Sequence, residues 1–250
     1  MIVTRDEIIK GLRKLGMGNG DLVTMHSSLK SLGHVEGGAP TVIQALLETI
    51  GPQGTILMPA FTFPLGGQAE PIFDVRETPS CVGLITEVFR REYATHRSIH
   101  LSHSFSAAGP LAAELTVHRL DITPCGEDSP LDKFTRHGGK ILLLGVGYNS
   151  CTAFHVVEER MKTRYMRFKV NPKAKYRVNG EVFPLPSKIV ERSFSYDFTI
   201  MEQEFRAQGV MQEGKIGEAA AAILSSRGFM ECIERRLKND PDCFFRGFRH

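Results

Sequence analysis

Two residues three positions apart, His155 and Glu158, have the types and spacing for acid–base chemistry. On a helix that spacing puts both side chains on one face. A carboxylate beside an imidazole sets its tautomer and raises its basicity, as a general base requires. Helix surfaces also carry such pairs without any role, so the spacing leaves both readings open. Three further clusters can do chemistry. His26-Ser27-Ser28 can be a nucleophile beside a base, or a helix cap, since serine is a preferred N-cap; exposed amides there also suit a phosphate or an oxyanion. His96, His100 and His103 have a spacing that a metal can use, but no cysteine or carboxylate nearby completes the set, and a polar loop is the better reading. Cys151, near His155, can be a thiol nucleophile at a helix start or a small buried apolar residue, and the second is favoured.

These clusters need elements to hold them at strand ends, where open α/β sheets bind ligands. Apolar runs predict strands at Asp21–His26, Gly54–Pro59 and Lys140–Val146, with Ser102–Ala108 as a fourth. Thr4 with Glu7 reads as a capping box starting a helix that Gly16 stops. Further helices are expected at Thr41–Ile50, Val82–Glu92 and Pro110–Val117, and from Gly147 through Glu159. Phe61–Pro79 reads as a long loop. Asn179-Gly180 between apolar residues marks a hairpin over Tyr176–Pro184, so the sheet should be mixed. Gly214–Ser226 reads as an alanine-rich helix, and the last dozen residues, polar and basic, as a mobile tail.

Composition bounds the function classes. The 250 residues carry a formal net charge of +3, which announces neither a nucleic-acid binder nor an anionic-membrane binder. Five cations follow the His155 segment (Arg160, Lys162, Arg164, Arg167, Lys169) and read as a solvated face, or as a clamp for the phosphates of a nucleotide-like cofactor. No apolar run approaches the ~20 residues of a membrane helix. The first sixteen residues do not pattern as a signal peptide. Five cysteines without paired spacing argue against a disulfide framework, so a cytoplasmic setting and one domain over residues 1–250 are expected.

The motifs combine in order: Met25-His26-Ser27-Ser28-Leu29 with Gly33, Gly37-Gly38 and Thr41; Met58 to Thr62; Gly83 with Thr86, Glu87 and Arg90; Arg97-Ser98 with His100, Ser104 and Gly109; His118 with Cys125-Gly126, Ser129 and Pro130; Gly145 with Thr152, His155 and Glu158; and the late Gly214–Ala219. This series closely resembles the aminoglycoside 3-N-acetyltransferase family, from about residue 4 to about residue 226. The resemblance implies a three-layer α/β/α sandwich with a mostly buried mixed sheet, distinct from the common small acetyltransferase fold. It implies acetyl-coenzyme A as donor, no metal, and a small-molecule amine as acceptor, foremost the 3-amino group of an aminoglycoside; a homodimer is left open. By the same match His155 is the general base and Glu158 its orienter. The coenzyme groove falls to His26, Ser27, Ser28, Leu29, Ser98, Ser104 and Phe105. Asp74, Glu127, Asp128 and Asn149 are the candidates for the acceptor side, which should be acidic for a polycation. Family members usually have Asp at the place of Asn149 and Pro at the place of Leu101. The alternatives are the same donor with a biosynthetic or peptide amine, a coenzyme A-binding protein without turnover, and a metal hydrolase built on His96, His100 and His103.

Overall fold

The computed structural model describes residues 2–191 and 193–249. Its centre is a seven-stranded sheet formed by β1 (Leu22–Ser27), β2 (Thr55–Pro59), β3 (His96–Arg97), β4 (Phe105–Ala108), β5 (Lys140–Leu144), β6 (Met211–Ile216) and β7 (Ala219–Ser225). Their spatial order is β6-β7-β5-β1-β2-β4-β3. The three central strands β5, β1 and β2 are parallel, and the flanking pairs are antiparallel, so the sheet is mixed.

Side chains alternate across each strand, which sends successive apolar residues to opposite faces. In β5, Leu142 and Leu144 pack beneath α1 (Arg5–Lys14), α2 (Gly38–Ile50) and α3 (Leu84–Val88). Ile141 and Leu143 pack on the other side, with α4 (Ala112–Thr116), α5 (Pro130–Arg136), α6 (Ala153–Arg160), α7 (Glu202–Ala207) and α8 (Ser226–Asn239). The fold is thus the expected three-layer α/β/α sandwich with a two-sided, buried sheet.

Local signals explain most boundaries. The Thr4 capping box is present: the Glu7 amide donates to Thr4 Oγ1 (3.4 Å), and the Thr4 amide donates to Glu7 Oε2 (2.8 Å). Lys175–Val178 and Glu181–Pro184 form the expected hairpin. Its turn residues Asn179 (φ 51°) and Gly180 (φ 86°) both adopt the left-handed conformation that the tight hairpin turn needs. Within the expected loop Phe61–Pro79, Ile72–Asp74 adds a strand beside that hairpin. Helix α3 ends earlier than Glu92 as an α-helix and continues as a π-turn over Phe89–Tyr93.

Two expectations are corrected. Gly214–Ser226 is not a helix; it is the β6–β7 hairpin, turning at Gly217-Glu218. Gly217 has φ 57°, and a side chain there would sit 2.5 Å from the Leu32 carbonyl. The alanines favour helix in isolation, but they lie between β6 and β5 under α1, where small side chains pack closely and burial overrides propensity. The C-terminal stretch is not a free tail. Helix α8 buries Phe229, Ile233 and Leu237, and Phe245–Phe248 pairs antiparallel with Phe194–Tyr196; His250 lies outside the described residues.

Candidate active site

The end of β5 leads through the turn Tyr148–Ser150 into α6, the helix that carries the candidate base. Phe154 anchors α6. Its ring stacks on Phe198 (centroids 3.9 Å apart, 2° between planes) and meets Phe229 edge-on at 4.7 Å. One residue on, His155 points the other way, half-buried among Tyr196 and Phe198 (5.2 and 5.5 Å between centroids).

His155 Nδ1 lies 2.5 Å from Glu158 Oε2. Glu158 is fully buried, and its other oxygen, Oε1, accepts the Tyr165 hydroxyl at 2.6 Å. An ionised carboxylate only accepts, so Nδ1–H donates to it, and in the neutral ring Nε2 is the nitrogen that keeps its lone pair. The tyrosine hydroxyl fixes the carboxylate from behind, and burial beside Glu158 raises the Tyr165 phenol far above its ordinary value, so it remains a donor. Tyr165 lies beyond the end of α6, which stops at Arg160, so helical spacing from Glu158 does not point to it and the sequence carries no signal for its role.

His155 lines a cleft of about 560 Å³ together with His103, Cys125, Glu159, Lys169, Tyr196 and Arg249, among others. A narrower throat of about 260 Å³ adjoins it, lined by His26, Ser27, Asn149, Thr152, Phe63 and Tyr196 among others; Phe63 and Tyr196 belong to both. Ser27 continues from the throat into a surface groove of about 590 Å³ that also has Ser28, Leu29, Lys30 and Gly38 on its walls. Groove, throat and cleft therefore adjoin in that order through shared wall residues, with His155 in the cleft.

Of the residues expected in the donor groove, His26, Ser27, Ser28 and Leu29 line the groove or the throat. Ser28 is also the cap: its Oγ accepts the Ser31 amide at the start of the 3-10 turn Leu29–Leu32. Ser98, Ser104 and Phe105 line neither. Ser98 Oγ accepts the Phe105 amide (2.8 Å), Ser104 Oγ donates to the Ala60 carbonyl (2.6 Å), and Phe105 is a buried core ring against Phe61. All three are fully buried and brace the start of β4 and the connection that leads into it.

On the acceptor side the corrections are larger. Asp74 lies away from the cleft, where it accepts the Arg76 and Glu77 amides and pairs with Arg177. Glu127 is exposed, and Asp128 is exposed and pairs with Arg136 (2.6 Å), in the turn ahead of α5. Asn149 lines the throat, but its Oδ1 accepts the Phe198 amide (2.8 Å), so it holds the backbone that seats Phe154. The cleft's own carboxyls are Glu159 and Glu191. Glu159 Oε1 accepts the Cys125 amide (2.8 Å), and burial pushes its carboxyl up to about 7.

A family model described as aminoglycoside 3-N-acetyltransferase matches residues 24–238. This chain belongs to that family. It is 40% identical over 172 residues to an aminoglycoside N(3)-acetyltransferase III of Salmonella, a match that spans 62% of this chain and 60% of the relative's length. It is 32% identical over 259 residues to the SPbeta prophage-derived aminoglycoside N(3')-acetyltransferase-like protein YokD of Bacillus subtilis, covering 95% of this chain and 93% of that one. Among solved structures, the binary complex of AAC-IIIb with coenzyme A superimposes with a TM-score of 0.85 at 25% identity, over 96% of this chain and 97% of that chain.

As a member of the aminoglycoside 3-N-acetyltransferase family, the chain presents its other candidate nucleophiles and ligands in inert form. Cys151 is buried, and burial pushes its thiol up to about 12, so it carries almost no thiolate near neutrality. His100 accepts the Ser102 and His103 amides at Nδ1 (3.1 and 3.0 Å) and reaches the Lys188 carbonyl with Nε2 (3.2 Å), leaving no nitrogen for a metal. Among the described residues no group of three or more metal-ligating side chains converges. Of the five cations after the dyad, Arg160 pairs with Glu234 and Asp132, Arg164 pairs with Asp242, and Lys169 lines the His155 cleft; none lines the Ser27–Lys30 groove. Among the described residues no helix is long and apolar enough to cross a membrane.

Two buried imidazoles give the protein an acid sensitivity above the range of ordinary carboxylates. Burial pulls His26 down to about 4 and His100 down to about 3. Both are neutral in the fold and take up protons near pH 6.5 once unfolded. The stability they contribute is complete above about pH 6.5 and is lost as pH falls toward the folded values, about 3 kcal/mol at most for His26. The raised carboxyl of Glu159 works in the opposite sense between about 4.5 and 7, but two imidazoles outweigh it. Urea melts between pH 7 and 4.5 should therefore show stability falling on acidification; a constant midpoint would contradict the buried neutral histidines.

Proposed function

We propose that this chain transfers acetyl from acetyl-coenzyme A directly to an amine of a small molecule, foremost the 3-amino group of an aminoglycoside. The observation that carries the reading is the His155–Glu158–Tyr165 array in the cleft, where Nδ1 faces Glu158 and Nε2 is left to face an acceptor amine. His155 is the general base: Nε2 takes the proton from the acceptor amine as its nitrogen attacks the thioester carbonyl. Glu158 holds the ring and compensates the imidazolium that forms. The carbon–sulfur bond then breaks, and the coenzyme thiolate takes that proton from His155. Donor and acceptor enter from opposite ends of one path, so much of the rate gain comes from holding amine and thioester in attack geometry. No acyl-enzyme is needed, in keeping with the protonated thiol of Cys151.

Ser27, Ser28 and Leu29 line the donor groove, and Lys30 with the N-terminal end of α2 offers charge and free amides to coenzyme phosphates. We take residues 1–250 to act as one acetyltransferase domain, in the cytoplasm, where acetyl-coenzyme A is found. The names of the relatives support an aminoglycoside acceptor. One observation favours a second reading with the same donor and a different amine: Lys169 and Arg249 line the acceptor cleft, whereas Asp74, Glu127 and Asp128 do not. A thiol-release assay with acetyl-coenzyme A against aminoglycosides, amino acids and simple amines separates the two. Release with aminoglycosides is expected; release only with other amines selects the second reading, and no release with any amine overturns both.

A further inference from the structure

We propose that His26 is a catalytic residue that holds the thioester carbonyl oxygen of the acyl donor, an assignment that rests on the acyl-transfer reading above. His26 sits near the end of β1 and is 6% exposed. Its Nε2 is buried with no hydrogen-bond partner among the described residues. Buried polar groups in folded proteins are nearly always paired, and an exception needs a cause. His100 supplies the contrast: equally buried, it has both ring nitrogens engaged by backbone groups. The unpaired ring lies where a ligand passes. His26 lines the throat between the Ser27–Lys30 groove and the cleft of His155, and Ser27 and Tyr196 join the throat to each side. A donor lying in the groove with its acetyl group at His155 threads the throat beside this imidazole.

The chemistry suits a neutral imidazole. Burial keeps the ring unprotonated near neutral pH, so it offers a single N–H and no competing acid. Neutral imidazoles can polarise carbonyls in this way. As the amine nitrogen bonds to the carbonyl carbon, the carbonyl electron pair moves onto oxygen and is held by the His26 N–H. The amine proton goes to His155, the pair on oxygen re-forms the carbonyl as the carbon–sulfur bond breaks, and the thiolate leaves and takes that proton from His155. His26 keeps its own proton throughout.

The test uses the full chain with acetyl-coenzyme A and the best acceptor from the thiol-release panel. His26→Phe removes both nitrogens; His26→Asn and His26→Gln place an amide near Nδ1 or Nε2. Removing one oxyanion donor costs about 10²–10³-fold in turnover, so His26→Phe should lower kcat by about that factor. KM for acetyl-coenzyme A should change little, and the melting temperature should stay level or rise, because an unpaired polar group is gone. One of the two amide variants should recover at least about tenfold of the loss, as a replacement hydrogen-bond donor would. Unchanged kcat in His26→Phe overturns the assignment, and so does a loss of activity that tracks a lowered melting temperature in all three variants. Calorimetry with acetyl-coenzyme A on the unsubstituted chain keeps the two failures apart. Neither binding nor transfer there defeats the acyl-transfer reading itself, whereas intact transfer in both proteins defeats only the role of His26.

Discussion

His155→Ala should lower acetyl transfer by about 10²–10⁴-fold, the usual contribution of a positioned general base, while coenzyme A binding stays nearly intact. The imidazole lines the acceptor cleft and does not line the donor groove, so its removal spares the Ser27–Lys30 surface. Steady-state turnover together with calorimetric titration of coenzyme A checks both halves. Turnover within a few-fold of the unsubstituted chain would remove the proton-abstraction mechanism. Phe154 seats α6 in the aromatic core, so the variant should retain its fold even though Glu158 loses one of its two donors.

Glu158→Gln should have a smaller kinetic effect and a larger structural one. The fully buried carboxylate accepts from two donors, His155 Nδ1–H on one oxygen and the Tyr165 hydroxyl on the other. A glutamine has one carbonyl oxygen, so its amide group must face one of those donors. A buried donor left unpaired costs about 1–3 kcal/mol, which in a chain of this length lowers the melting temperature by several degrees, at roughly 2–4 °C per kcal/mol. If the amide turns toward His155, the tautomer with Nδ1 protonated loses its acceptor, and turnover drops without vanishing. Thermal melts and a pH profile of kcat measure the two effects. An unshifted melting temperature would contradict the two-donor arrangement, and turnover as low as that of His155→Ala would give Glu158 a role beyond orienting the ring.

The elements that were legible in the sequence have local causes. The capping box at Thr4, the Asn179-Gly180 hairpin and the β5 run each satisfy a short-range rule, and each appears where the rule puts it. The His155–Glu158 pair belongs with them, because a spacing of three on one helix is itself a local relation. The β6–β7 hairpin was misread as a helix for the opposite reason. Its alanines become strand because β5 lies beside them, a relation across more than seventy residues, with β6 closing the other side through the local hairpin. Motif order puts Ser98, Ser104 and Phe105 at the donor groove, whereas the packed connection into β4 buries all three in the core.

Residue types, spacing and motif order by themselves determined the layered α/β class, the family resemblance and the candidate base with its carboxylate. Tertiary structure decided what surrounds that base. Tyr165 behind Glu158 is brought in by the chain that returns after α6, and Lys169 and Arg249 reach the cleft from strands far apart in sequence. The same holds for the carboxylates: Asp74 and Asp128 found cationic partners elsewhere, and Glu159 reached the cleft by following Glu158 on α6. Short-range patterns set dihedral preferences and the facing of neighbours on one element. Which elements converge is set by burying apolar surface on both sides of one sheet, and that global condition has no local signature.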